Sequence, residues 1–190
     1  MVNLKVIYFE KSGPQNTDST LNSAKQRAEE LNIKDIIVAS TKGDTGIKAA
    51  KLFSGFNLVV VSHCTGFRES NSQELSHEKK DQIEKEGGKI LTCQHSFGGI
   101  GRAIRKKFNT YQVDEIVAHT FRTFGEGTKV AVEITLMACD AGLIPSGKEV
   151  ISIGGTSTGA DTALVLKSAN THSFFDLEIK EIICKPREHR

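Results

Sequence analysis

Two turns rich in hydroxyls and glycine carry most of the chemistry this sequence offers. The first, Ser40-Thr41-Lys42-Gly43-Asp44-Thr45, follows the apolar run Ile36 to Ala39 and leads into residues at helical spacing. Hydroxyls on Ser40, Thr41 and Thr45, a freely oriented backbone at Gly43 and the start of a helix together suit a phosphate, because a helix N-terminus presents unpaired N–H groups and a positive dipole end. The second turn runs Gly-Gly-Thr-Ser-Thr-Gly-Ala-Asp-Thr from 154 to 162, offering Gly154, Gly155, Thr156, Gly159 and Thr162 as further contacts. Neither spacing is the P-loop or the dinucleotide glycine fingerprint, so neither nucleotide hydrolysis nor NAD binding is read from them. Lys42 supplies positive charge; Asp44 and Asp161 disfavour a bare phosphate at their own positions and suit helix capping or a ligand hydroxyl. The bland alternative for the first turn is an ordinary strand-to-helix connection with a Thr or Asp cap.

His63 and His95, with Cys64 and Cys93, fall at the ends of two expected strands. Their spacing matches no metal motif, so no metal site is expected. As acid–base groups they are better placed, since imidazole titrates near neutrality, although no partner residue is identifiable from the sequence. Thr65, Gly66 and Phe67 lie in the loop that follows His63, where Phe67 either stacks on a ligand ring or packs on its own helix. Glu133 and Asp140 border the apolar face of a helix and read as solvated carboxylates. Arg102, Arg105, Lys106 and Lys107 form a basic cluster that reads as a solvated helix face, since no aromatic platform accompanies it.

These residues need elements to position them. Leu4 to Phe9 predicts a strand, and a helix capped by Asn16 or Thr17 follows with Leu21, Ala24, Ala28 and Leu31 on one face. Further strands are expected at Ile36 to Ser40, Leu58 to Ser62, Lys89 to Thr92 and Glu149 to Ile153, with helices at about 44–53, 76–86, 113–124 and 130–141. The segment 96–101 predicts a glycine-rich loop. Thr162 to Leu166 must pair antiparallel with the preceding strand, because their connection is a short turn. A last strand is expected near Ile179 to Cys184. The alternation implies a three-layer α/β/α sandwich, a mostly parallel sheet with one antiparallel strand. Ligands of such sheets bind beyond the carboxyl ends of the strands.

A chain of 190 residues suits a single domain over 1–190. Its net charge of +2 gives no field for nucleic acid or membrane. No stretch reads as a secretory signal or a membrane span. The four scattered cysteines suit free thiols in the cytoplasm. A homo-oligomer is compatible with the sequence.

In order, these strands, turns and helices resemble the C-terminal α/β domain of pyruvate kinase. More closely, the chain resembles a family of stand-alone archaeal and bacterial proteins with that fold. The runs that carry the resemblance are Val-Ala-Ser-x-x-Gly-Asp-Thr at 38–45, His-Cys-Thr-Gly-Phe-Arg at 63–68, and Val-Glu-Ile-Thr-Leu-Met-Ala-Cys-Asp-Ala-Gly-Leu-Ile-Pro at 132–145. Gly-Gly-Thr-x-x-Gly-Ala-Asp-Thr-Ala at 154–163 and Phe-Phe-Asp-Leu-Glu-Ile-Lys-Glu-Ile-Ile-Cys at 174–184 complete the set. The pyruvate kinase resemblance implies phosphates held at the two turns and no kinase active site; the closer one implies a flavin mononucleotide (FMN) site and assigns no reaction. The expectation is therefore a binder of a phosphorylated small molecule, FMN first, and with it a flavin-dependent oxidoreductase of unspecified substrate. The alternative is a non-enzymatic sensor of a sugar phosphate or another phosphorylated metabolite.

Overall fold

The run Ile36-Ile37-Val38 shows why the sheet is covered on both faces. It forms the centre of strand β2 (Asp35–Ala39), and all three residues are fully buried. Successive strand side chains point to opposite faces, so Ile36 and Val38 join one apolar cluster while Ile37 joins another. A computed structural model describes residues 5–188 of the chain. The remaining strands are β1 (Ile7–Lys11), β3 (Asn57–Ser62), β4 (Lys89–Thr92), β5 (Glu149–Gly154), β6 (Thr162–Lys167) and β7 (Glu178–Glu188). They form one sheet in the order β1-β7-β6-β5-β2-β3-β4.

Strands β5, β2, β3 and β4 are parallel neighbours, with Ile36 opposite Ile151 on one side and Leu58 on the other. Strand β6 is antiparallel to both β5 and β7, and β1 pairs parallel with β7, so β6 alone runs against the rest. Helices α1 (Thr17–Glu30), α2 (Asp44–Leu52) and α3 (His77–Lys85) cover the face that carries Ile36 and Val38. Helix α6 (Glu126–Asp140) covers the other, through Ala131, Ile134, Met137 and Ala138 against Ile37, Val59 and Leu164. Helix α5 (Val113–Arg122) packs in turn on α6 through Ala118, Val132 and Leu136. The architecture is the expected three-layer α/β/α sandwich.

Three elements depart from the sequence reading. The first strand begins later than expected, at Ile7, and Leu4 lies outside the described residues. The expected loop at 96–101 gives way to an unforeseen helix, α4 (Ile100–Phe108), which carries the basic cluster and contains no buried residue. Helix α6 is not amphipathic in its surroundings. Twelve of its fifteen residues are buried, Lys129, Glu133 and Thr135 among them, because the sheet covers one side and α5 the other.

One close approach fixes how α6 meets the sheet. A Cβ at Gly154 would stand 2.3 Å from the carbonyl oxygen of Gly127, so the end of β5 touches the first turn of α6 as only glycine allows. That contact brings the helix start to the carboxyl edge of the sheet.

Candidate functional site

A cavity of about 470 Å³ opens beyond the carboxyl ends of β2 and β3, between the start of α2 and the first turns of α6. Its size lies within the range of roughly 300 to 1,000 Å³ usual for small-molecule sites. Ala39, Val61, Val130, Ile134 and Met137 form an apolar floor. The walls are charged: six cationic side chains, Lys42, Lys48, Arg68, Arg102, Arg122 and Lys129, face four carboxylates.

Ser40, Thr41 and Thr45 line one wall. The Ser40 hydroxyl accepts the Gly46 N–H at 3.0 Å, which ties the end of β2 to the helix start. Gly43 takes φ 94°, a left-handed conformation, and gives α2 no side-chain cap. The N–H groups of Asp44 and Thr45 therefore have no partner among the described residues, and they stand at the positive end of the helix. Asp44 is exposed and bonded to Lys79 at 2.6 Å, while Lys48 pairs with Asp18 at 2.7 Å. Lys42 has no acidic partner among the described residues. Gly43 itself does not line the cavity; a Cβ there would stand 2.8 Å from Leu75 Cδ1 and 2.9 Å from Lys79 Cβ, so its backbone leans on α3.

His63 stands across from this wall with both ring nitrogens engaged. Its Nδ1 lies 2.7 Å from Glu74 Oε2, and its Nε2 lies 3.3 Å from Thr41 Oγ1. Arg68 Nε donates to the other Glu74 oxygen at 2.9 Å. Burial lowers the His63 pKa below the ordinary imidazole value and so favours the neutral ring, and Glu74 only partly opposes it. Glu74 is held below the usual carboxylate value: burial pushes it up, and His63 and Arg68 together outweigh that push.

Phe67 is part of this cluster. Its centroid lies 3.9 Å from that of His63 and 5.0 Å from that of His95, with the two imidazoles 5.4 Å apart. The Arg102 guanidinium lies 4.8 Å from the phenyl centroid. Phe67 thus stacks on imidazoles of the protein while it also lines the cavity. Thr65 and Gly66, expected beside it, lie outside the cavity wall.

His95 is anchored on both nitrogens as well. The Cys64 N–H donates to its Nε2 at 3.4 Å, and its Nδ1 faces Glu133 Oε2 at 3.5 Å. Glu133 is 2 % exposed, not solvated as expected, and is bonded to Lys129, itself 4 % exposed. Its second oxygen accepts the Phe97 N–H at 3.0 Å. Burial pushes the Glu133 carboxyl up, but His95 and Lys129 more than offset that and hold it at about 2. Asp140 is exposed and bonds the start of the 3-10 turn Thr171–Asp176 that follows β6, accepting from Thr171 N at 3.0 Å and Thr171 Oγ1 at 2.6 Å.

The second turn contributes less to the cavity than its composition suggests. Gly155 and Gly159 line it, together with Ser157 and Thr158, which the sequence reading had not singled out. Gly154, Thr156 and Thr162 do not. The reason is Asp161, fully buried, whose Oδ2 accepts from Thr156 N at 3.1 Å and Gly13 N at 3.2 Å while Oδ1 accepts the Thr162 hydroxyl at 2.9 Å. Those donors build the loop and are not free for a ligand.

The four cysteines are free, Cys139 and Cys184 buried and Cys64 and Cys93 half-buried at the ends of β3 and β4. No group of three or more metal-ligating side chains occurs among the described residues.

The family model of the pyruvate kinase α/β domain matches residues 18–166, from the first turn of α1 through nearly all of β6. The chain belongs to that family. Its members' fold accounts for β2 to β6 and the helices between them; β1 and β7 lie outside the matched span and pair with each other. Among solved structures, a pyruvate kinase from Cryptosporidium parvum is similar over 80 % of this chain and 22 % of its own, at 14 % identity and a TM-score of 0.40. An O-ureido-L-serine synthase is similar over 66 % of this chain and 48 % of its own, at 20 % identity and a TM-score of 0.32. The chain thus spans less than half the length of either protein. No helix among the described residues is long and apolar enough to cross a membrane.

Proposed function

We propose that this protein binds a phosphorylated small molecule, with the phosphate against the first turn of α2 and the rest of the ligand over the apolar floor. The observation that supports this reading is the meeting, in one cavity, of an uncapped helix start with cations that lack acidic partners and with five apolar side chains. A phosphate dianion needs several donors and little competing negative charge. The nearby carboxylates are already engaged: Asp44 by Lys79, Glu74 by His63 and Arg68, Glu126 by Arg122, Glu133 by Lys129. Lys42 and Arg102 are left to the ligand.

FMN is the ligand we propose first. Its phosphate suits the N–H groups of Asp44 and Thr45 and the hydroxyls of Thr41 and Thr45, and its flat ring suits Ala39, Val61, Ile134 and Met137. When bound, an isoalloxazine supplies redox chemistry of its own, which would make the protein an oxidoreductase. Membership of a family named for one domain of pyruvate kinase supports the second reading, a module that senses a phosphorylated metabolite without reacting on it. Free cysteines suit a reducing cytoplasm as the place of action.

The test is a paired titration. FMN is expected to bind at least about ten-fold more tightly than riboflavin, since removing the phosphate strands charge-assisted hydrogen bonds that contribute about 1.5 to 3 kcal/mol each. Equal affinity for the two would remove the phosphate from the account. Sugar phosphates that displace no flavin but raise the thermal midpoint would favour the sensor.

A further inference from the structure

Of the two imidazoles on the cavity, only one has a nitrogen that could exchange a proton with a ligand. His95 is closed: its Nε2 accepts from a backbone N–H and its Nδ1 faces the buried Glu133. His63 is not. Glu74 receives its Nδ1–H at 2.7 Å, which leaves the lone pair on Nε2, whose one hydrogen-bond partner among the described residues is the Thr41 hydroxyl at 3.3 Å on the cavity wall. Glu74 is fixed from its far side by Arg68 and has a side chain 12 % exposed. A base held in one tautomer by a half-buried carboxylate, with its other nitrogen bonded to nothing but an exchangeable hydroxyl on a cavity wall, is the arrangement general base catalysis requires.

We propose that His63 is a general base that removes a proton from the carbon next to a carbonyl in a phosphorylated hydroxy-carbonyl compound. The proposal rests on the reading that the cavity takes a phosphate. It names this class because the step needs no oxidant, reductant or second substrate. The C–H bond breaks and its proton passes to Nε2, displacing the Thr41 hydroxyl as partner. The electron pair of that bond forms the carbon–carbon double bond of an enolate, and the carbonyl pair moves to oxygen. Arg102 and Lys42, the cations without acidic partners, are the groups on the walls that can stabilise that oxygen. The imidazolium that results is paired with Glu74. Return of the proton to the same carbon restores the compound; if the neighbouring hydroxyl first passes its own proton to the enolate oxygen, return of the carbon proton to the former carbonyl carbon gives the isomer, with the new carbonyl at the former hydroxyl. Glu74 touches no substrate in this scheme and acts as a positioning residue through His63.

Solvent exchange tests this without knowledge of the product. Dihydroxyacetone phosphate, fructose 6-phosphate and ribulose 5-phosphate are incubated with the protein in deuterium oxide, and loss of the carbon-bound proton is followed by proton NMR. Binding of each is measured in parallel by calorimetry. Exchange is expected for at least one compound. His63→Gln, purified identically to control for contaminating isomerases, should lower the rate at least 100-fold and change affinity only a few-fold. Glu74→Gln should slow exchange and move the inflection of rate against pH downward, because the imidazolium loses its counter-charge; a purely structural role would leave that inflection in place. Binding of these compounds without exchange above the His63→Gln level overturns the base and leaves the phosphate reading standing. Failure of all three compounds and of FMN to bind overturns both.

Discussion

Lys129 and Glu133 are the residues whose energetics are most exposed to test, because both are buried and each is the other's charge partner. Breaking a buried pair by removing one partner typically costs about 3 to 5 kcal/mol, since the survivor is left as an uncompensated charge. Lys129→Met should therefore lower the thermal midpoint by roughly 6 to 20 °C in a chain of this size, measured by calorimetry. The double variant Lys129→Met, Glu133→Leu should recover much of that loss. A single variant as stable as the parent would mean that the charge on Glu133 is not carried by Lys129. The i,i+4 spacing of these two residues on one helix was a readable signal for their pairing. Their burial was not, since nothing local in residues 126–140 shows that α5 covers the outer face. Glu74 gave no signal of any kind: it lies eleven residues from His63 in a polar loop, and only the folded loop brings them to 2.7 Å.

At the level of elements, what was legible was local. The strand-turn-helix of β2 and α2 is written in consecutive residues, an apolar run followed by hydroxyls and Gly43, and it folds as read. That β2, β3, β4 and β5 are parallel neighbours followed from helical crossovers and the antiparallel β6 from a short turn, whereas their order across the sheet did not. Helix α4 escaped because the glycines at 98, 99 and 101 read as a loop, although Ile100, Ile104 and Phe108 at i, i+4 and i+8 were a readable helix signal. The composition of the second turn misled for another reason: the Thr156 N–H and the Thr162 hydroxyl are spent on Asp161, and the Thr156 hydroxyl is buried away from the cavity wall. The joint between β5 and α6 is the element contact most sensitive to change. Gly154→Ala would place a methyl group 2.3 Å from the Gly127 carbonyl oxygen, and relief requires the helix start to move off the sheet. Overpacking of this kind costs about 1 to 3 kcal/mol. The variant should melt lower and bind FMN more weakly, because Lys129 and Val130 line the cavity from the helix that moves. As a control, Gly66→Ala meets nothing within 4 Å at a φ of 82° and should lose only the milder penalty of a left-handed alanine, about 1 kcal/mol. Comparable losses in both would show that the joint is slack.

Across the whole molecule, charge ties the layers together and sets the response to acid. Arg27 on α1 holds Glu181 on β7 through two bonds of 2.8 Å, which fastens the strand pair outside the family span to the family core. Glu133 fastens α6 to the loop carrying His95 and Phe97. Its folded pKa of about 2 lies below the ordinary value of 4.5, so the stability it contributes is fully present above pH 4.5 and is lost as pH falls toward 2. Denaturant unfolding at steps across that window should show stability falling with acid, and Glu133→Gln should flatten the slope. An unchanged slope would remove Glu133 from the acid response. The cavity lies at the seam of these layers, with α2 from one face and α6 from the other, and that is where the account places a phosphate. Amide nitrogen–proton NMR during titration with FMN measures this directly. The account predicts that the largest shifts fall on the amides of Thr41 to Thr45 and that riboflavin at equal occupancy leaves them nearly unmoved. FMN binding with those amides undisturbed would contradict it.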